Sequence, residues 1–164
     1  MRLYKIVKQD KAALYAEFGL GLTPVNGTEM AVLSSNPTAI PQLTPSGFGP
    51  RDHAAVFYST LPESDETQGS GTANYWYRVT FLLPDWEVEE WLPWAEAVYE
   101  EQWLEGFGKS VGGHEFLEQL RFTRVPVQPS QLVSIERLDN PQLWTDVTAI
   151  MSHRSGHSAP PLVQ

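Results

Sequence analysis

Hydrophobic and polar residues alternate most regularly over 75–83. Tyr75, Tyr77, Val79 and Phe81 share one phase, and Trp76, Arg78, Thr80 and Leu82 share the other. A period of two is that of a half-buried strand. The same reading gives strands at 3–7, 54–59, 120–125 and 131–138, the last two separated by Pro126 and Pro129. Helical spacing is sparser. Residues 11–18 offer Ala12, Leu14, Tyr15 and Phe18 for burial, and Gly19 and Gly21 stop the pattern. A second helix is expected from Pro84-Asp85, where aspartate can cap. Pro93 splits it, and 94–104 forms its second part, with Trp91, Trp94, Val98 and Leu104 as the apolar side. Residues 141–151 are expected as a short terminal helix, and 152–164 as a flexible tail.

Between these elements lie polar, proline- and glycine-bearing stretches. Residues 22–51 contain Pro24, Pro37, Pro41, Pro45 and Pro50 and read as loop with at most a short strand at 30–33. Residues 60–72 form another loop, and 106–113 a glycine-rich turn. Loops this long inside a domain are more often functional than padding. Many strands and few helices define an α+β fold with a largely antiparallel sheet, built as a single domain over 1–151.

Composition sharpens this picture. A chain of 164 residues with 12% aromatics and six Trp can bury a core without covalent staples. The absence of cysteine excludes disulfides, thiolate metal sites and cysteine nucleophiles. It fits a cytoplasmic protein, or one secreted by a signal-independent route, since the opening residues have no Sec-type apolar run. No stretch approaches the about 18 apolar residues of a membrane span, so a soluble chain is expected. The net charge is −9, and Asp85, Glu87, Glu89, Glu90, Glu96, Glu100, Glu101 and Glu105 occupy 85–105 without any Lys or Arg. This surface would repel a phosphate backbone and suits a basic protein partner.

Individual motifs give little chemistry. Gly108-Lys109-Ser110 resembles the end of a phosphate-binding loop, but Trp103 stands where that loop needs glycine. His153 and His157 have the spacing of two metal ligands on a helix, yet Ser155-Gly156 lies between them, and no metal site is expected. His114 follows Gly112-Gly113 and reads as a turn residue. No Gly-x-Ser-x-Gly elbow occurs. Trp86, Trp91, Trp94, Tyr99 and Trp103 could line a ligand platform, although aromatics at helical spacing more often form core.

Three separated pieces resemble the ADP-ribosyltransferase superfamily, including its bacterial toxin branches. Leu3-Tyr4-Lys5-Ile6-Val7 is similar to the family's opening strand, in which an aromatic residue precedes a His or Arg that contacts NAD. Gly47-Phe48-Gly49, then Val56-Phe57-Tyr58-Ser59-Thr60 and Tyr75, resemble the elements lining the nicotinamide pocket. Glu118, the strand to Val125, Pro129 and the strand around Val133 resemble the catalytic-glutamate strand and its neighbour. The resemblance implies a split, largely antiparallel sheet with peripheral helices and a NAD-dependent mono-ADP-ribosyltransferase, toxin- or effector-like. NAD would be its substrate, and its acceptor a protein or nucleic acid.

By the same resemblance, Glu118 and Ser59 are catalytic, while Tyr4, Lys5, Tyr58, Thr60 and Tyr75 bind NAD. The glutamate would stabilise the oxocarbenium-like sugar formed as nicotinamide leaves. Lys5 departs from the family's His or Arg, whose geometry lysine does not reproduce, so Arg2 or Arg51 could supply that contact. Glu115 could likewise replace Glu118. The rival class is a non-enzymatic acidic binding protein, an immunity, inhibitor or adaptor protein that docks a basic partner through 85–105.

Overall fold

The computed structural model describes residues 1–38, 75–140 and 143–154. Strand β1 (Arg2–Val7) leads into helix α1 (Gln9–Phe18), followed by β2 (Thr23–Val25) and β3 (Thr28–Ser34). After β4 (Tyr77–Leu82) and the two-residue β5 (Glu89–Glu90) come α2 (Trp91–Val98), α3 (Glu101–Val111) and α4 (His114–Glu118). Strands β6 (Leu120–Thr123), β7 (Leu132–Asn140) and β8 (Leu143–Asp146) precede α5 (Thr148–Arg154). The strands form one open sheet in the order β5-β6-β3-β1-β4-β7-β8, with β2 paired to β3. Every pairing among the described residues is antiparallel. The result is a single-domain α+β fold, as the strand-rich pattern predicts.

Side-chain alternation divides the sheet into two faces, each with its own core. On the back face, Leu3, Val7, Ala31, Leu33, Tyr77, Val79, Phe81 and Ile135 are buried beneath α1 and α5, which contribute Ala12 and Met151. On the front face, Met30, Val32, Leu120 and Phe122 pack under α2, α3 and α4. These helices cover only the β5-β6-β3 half of the front. Fully burying one such side chain stabilises the fold by about 1.5–3 kcal/mol, so the two clusters dominate its stability.

The aromatic series of 91–107 belongs to the front core. Trp94 touches Phe122 and Tyr99 at ring-centroid distances of 5.9 Å each, and Trp103 stacks on Tyr99 at 4.5 Å and on Phe107 at 5.0 Å. Trp86, by contrast, is exposed. Helix α3 presents Leu104, Phe107, Gly108 and Val111 to the core, the i, i+3, i+4, i+7 stripe of an amphipathic helix. Gly108 faces α4, where a Cβ would come 3.1 Å from Leu117 Cδ1. Glycine therefore serves close helix packing here, and the expected turn over 106–113 shrinks to Gly112-Gly113. Gly108-Lys109-Ser110 is helical, consistent with rejecting a phosphate loop.

Other expectations are corrected as well. Residues 22–34 are not mainly loop but a hairpin, β2–β3, closed by Asn26 (φ 49°) and Gly27 (φ 82°). Two successive positive φ values make the turn whose twist matches paired strands. The helix expected from 84–85 is a 3₁₀ turn at Asp85–Glu87 followed by β5, and Val98 is exposed at the end of α2. Pro93 does not break α2, because in its first turn the missing N–H has no intrahelical acceptor to lose. Glu118 ends helix α4 instead of opening a strand. The helix expected over 141–151 is replaced by β8 and α5, with Asp146 Oδ1 accepting a 2.9 Å bond from the Thr148 N–H at the start of the helix. The strand expected at 54–59, the loop at 60–72 and the tail beyond 154 lie outside the described residues.

Helix α1 ends where the chain turns against the segment after β6. Gly19 has φ 76°, and Leu20 and Val127 exchange backbone bonds of 2.8 and 2.9 Å. A Cβ at Gly19 would overlap the Val127 carbonyl oxygen. Gly19→Ala is therefore expected to lower unfolding stability by about 1–3 kcal/mol or more. Gly21→Ala, which meets nothing within 4 Å, is expected to stay within about 0.5 kcal/mol in the same urea titration.

Candidate functional site

Beyond the part of the front face that α2, α3 and α4 cover, the strands carry polar side chains in register. Ser34, Tyr4, Thr80 and Ser134 are successive partners across β3, β1, β4 and β7, forming one row of four hydroxyls. The next row is Ile6, Arg78, Glu136 and Asp146 across β1, β4, β7 and β8. Arg2, Tyr4, Arg78, Thr80, Ser134 and Glu136, with Pro37 at the rim, line a trough of about 330 Å³. Its volume lies at the lower end of the range for small-molecule pockets.

Arg78 is held firmly in this trough. Its Nε donates to Glu136 Oε1 at 2.9 Å, its Nη1 donates to the Pro37 carbonyl at 2.8 Å, and its guanidinium lies 4.3 Å from the Trp144 ring centroid. The pair is largely enclosed, with 13% of the Arg78 and 25% of the Glu136 side chain accessible. Removing one partner of such a pair strands the other's charge. At the border with the helix-covered half, Asn36 Nδ2 donates to Gln119 Oε1 at 2.9 Å, and the Ser35 N–H donates to the Gln119 carbonyl. The loop after β3 is thereby tied to the start of β6.

The residues expected from sequence occupy several places. Tyr4 lies in the trough. Lys5, its neighbour on β1, faces the back because consecutive strand side chains alternate. It lines a groove of about 230 Å³ with Lys11, Tyr15 and 20–23. Tyr75 precedes β4 and packs against the back core, with Arg137 5.2 Å from its ring centroid. Glu118 is exposed at the end of α4, its Oε2 3.4 Å from His114 Nε2, and Glu115 is exposed in the same helix. Arg2, weighed as a substitute for Lys5, lines the trough beside Tyr4. Ser59, Tyr58, Thr60 and Arg51 lie outside the described residues. Sequence reasoning passed over Arg78, Thr80, Ser134 and Glu136. Each sits on the polar phase of a strand, to which the sequence pattern alone attaches no ligand role.

A third cavity, of about 410 Å³, lies among α2, α3 and α4, lined by Leu92, Glu96, Tyr99, Glu101, Leu104, Glu105 and His114. Among the described residues, no group of three or more His, Asp or Glu is placed to hold a metal ion, and no helix is long and apolar enough to cross a membrane. Comparison of the chain with protein-family models, with curated proteins and with solved structures finds no match.

Lys5 keeps some accessible surface at its groove, yet burial, together with the nearby charge of Lys11, lowers its pKa from 10.5 to about 8. The unfolded chain thus binds more protons at this site than the folded chain between about pH 8 and 10.5. The Lys5 contribution to stability is unfavourable in full below about pH 8 and is relieved as pH rises to about 10.5. Lys5→Met is expected to raise the melting temperature at pH 7 and to flatten the rise in stability across that window.

Proposed function

We propose that the chain is a NAD-dependent mono-ADP-ribosyltransferase whose substrate occupies the front trough. The observation that carries this reading is the cross-strand row Leu120, Ser34, Tyr4, Thr80 and Ser134. Strand β1 bears the opening motif, and β6 follows Glu118. Strand β4 follows Tyr75, and β7 holds the region around Val133. Strands that carry or adjoin pieces far apart in the sequence thus share one sheet, with Tyr4 on its front and Lys5 and Tyr75 on its back. The resemblance implies a split sheet, whereas the described strands form one open sheet in which β1 and β3 are registered at Tyr4↔Ser34.

The lining fits such a substrate in kind. Arg2 and Arg78 offer positive charge to a diphosphate, the Tyr4 ring offers a face to nicotinamide, and Thr80 and Ser134 offer hydroxyls to a ribose. In the reaction, the glycosidic C–N bond breaks with its electron pair leaving on nicotinamide. The acceptor nucleophile forms the new bond to the sugar carbon and loses its proton to solvent. A fixed carboxylate beside the sugar favours the positive charge that develops there. Glu136 is the carboxylate in the trough, oriented by Arg78; Glu118 stands on the neighbouring helix end.

The test is release of nicotinamide from NAD by purified protein, alone and with cell lysate, followed by chromatography. Glu136→Gln, which keeps a hydrogen-bond acceptor for Arg78 but leaves its charge unpaired, is expected to lower release by about 10²–10³-fold and to lower the melting temperature as well, so release is compared at a temperature where both proteins are folded. Glu118→Gln is expected to be mild, and a larger loss at Glu118 would move the acid to the helix end. No release under either condition would favour the rival reading, a non-enzymatic acidic binding protein.

Separately, NAD binding should raise the melting temperature by ligand linkage. Tyr4→Ala is expected to remove that shift; because Tyr4 is half-buried on a central strand, its unliganded melt is also expected to fall by several degrees, and the NAD-induced shift is read against that new baseline. Calorimetry at millimolar NAD that detects no binding would count against the trough as the substrate site.

A further inference from the structure

The groove among α2, α3 and α4 is independent of the trough and stands apart from the transferase reading. Its floor is apolar, formed by Leu92 and Leu104, each 8% accessible, with the half-buried Tyr99 alongside. Its rim carries the exposed carboxylates of Glu96, Glu101 and Glu105. Other acids are engaged internally: Glu89 bonds Arg124 at 2.7 Å, Glu136 bonds Arg78, and Glu118 lies beside His114. Among the described residues, no ion pair engages the three rim glutamates. Three like charges around one cavity repel each other, so the arrangement adds nothing to folding by itself. The apolar floor and acidic rim together match a side chain with an aliphatic stem and a cationic head.

We propose that this groove docks an arginine- or lysine-bearing segment of a partner protein. The stem lies on Leu92 and Leu104, the cationic head meets the rim glutamates, and Tyr99 offers an aromatic face to the cation. A guanidinium suits the site better than an ammonium, because its planar fork can meet two carboxylates at once. Phosphate-rich partners are excluded by the same three charges.

The experiment uses a dye-labelled peptide of arginines spaced by glycine and serine, titrated with the full chain and read by fluorescence anisotropy. Saturable binding at low salt is expected, weakening at physiological salt, where the Debye length is about 8 Å. The triple variant Glu96→Gln/Glu101→Gln/Glu105→Gln is expected to weaken binding at least about tenfold, the scale of a lost charge-assisted contact. Tyr99→Ala is expected to weaken it several-fold. A control triple with equal charge change elsewhere, Asp10→Asn/Glu29→Gln/Glu90→Gln, is expected to stay within about twofold, and a citrulline-substituted peptide not to bind. Equal losses in the two triple variants would mean diffuse attraction to an acidic protein and would overturn the proposal. Absence of binding at low salt would overturn it too.

Discussion

Strand β1 is fixed along its whole length on one side and at one point on the other. Its ladder with β4 runs through six positions, Arg2↔Leu82 to Val7↔Tyr77, whereas Tyr4↔Ser34 is its registered position with β3. A one-residue slip against β4 would turn Leu3 and Val7 from the back core to the polar front and bring Arg2 and Tyr4 inward. The hydrophobic pattern forbids this, because Leu3, Val79 and Phe81 are completely buried. Register at β1–β4 then determines which side chains the trough receives. The chemistry of the front is thus set by burial at the back.

The same logic explains why α2, α3 and α4 pack on the β5-β6-β3 part of the front face. Phe122, Val32 and Leu120 make the β5-β6-β3 half apolar, and the indole and phenyl rings of α2 and α3 pack there. On the other half, corresponding positions are Tyr4, Arg78, Thr80, Ser134 and Glu136, which offer an apolar helix no equivalent surface. Asn36 and Gln119 bond at the boundary between the two halves. Desolvating the Arg78–Glu136 pair fully beneath a helix would carry a penalty that attraction within the pair need not offset. Leaving it at the floor of a trough keeps the pair oriented while retaining some hydration.

Much of this architecture was legible locally. Strand β4 was readable because Tyr77, Val79 and Phe81 alternate in sequence with Arg78, Thr80 and Leu82, and α1 because glycine ends it. The β2–β3 hairpin carried its signal in Asn26-Gly27, but the prolines nearby weighed the reading toward loop. Strand β8 has only four residues, too few for alternation to outweigh a helical reading of 141–151. Gly108 misled because a glycine chosen for contact with Leu117 looks, in sequence, like one chosen for a turn. The site was less legible than the fold. The hydroxyl row is created by pairing residues as distant in sequence as Tyr4 and Thr80, and no local period encodes which strands become neighbours. The resemblance placed Tyr4 on a functional strand, but the polar phases of β4 and β7 gained meaning only from alignment beside it.

Charge is segregated by the same topology. Of the acidic run, Glu96, Glu101 and Glu105 lie on the helical layer covering the front core, away from the trough's arginines in the sheet order, whereas Asp85 pairs with the N-terminal amine next to Arg2. If those glutamates stood beside Arg2 and Arg78, they would neutralise the positive lining that an anionic ligand needs. Separation by β3 and β6 lets one small domain present an acidic, apolar-floored groove and an arginine-lined trough at once. Glu89 marks the border, since its bond to Arg124 on the segment after β6 anchors the acidic layer to the sheet. Being exposed, that pair contributes little to stability, about 0–1 kcal/mol. The apolar contacts of Trp91, Leu117 and Phe122 hold the layer in place, and among the described residues no ion pair engages the carboxylates of α2 and α3.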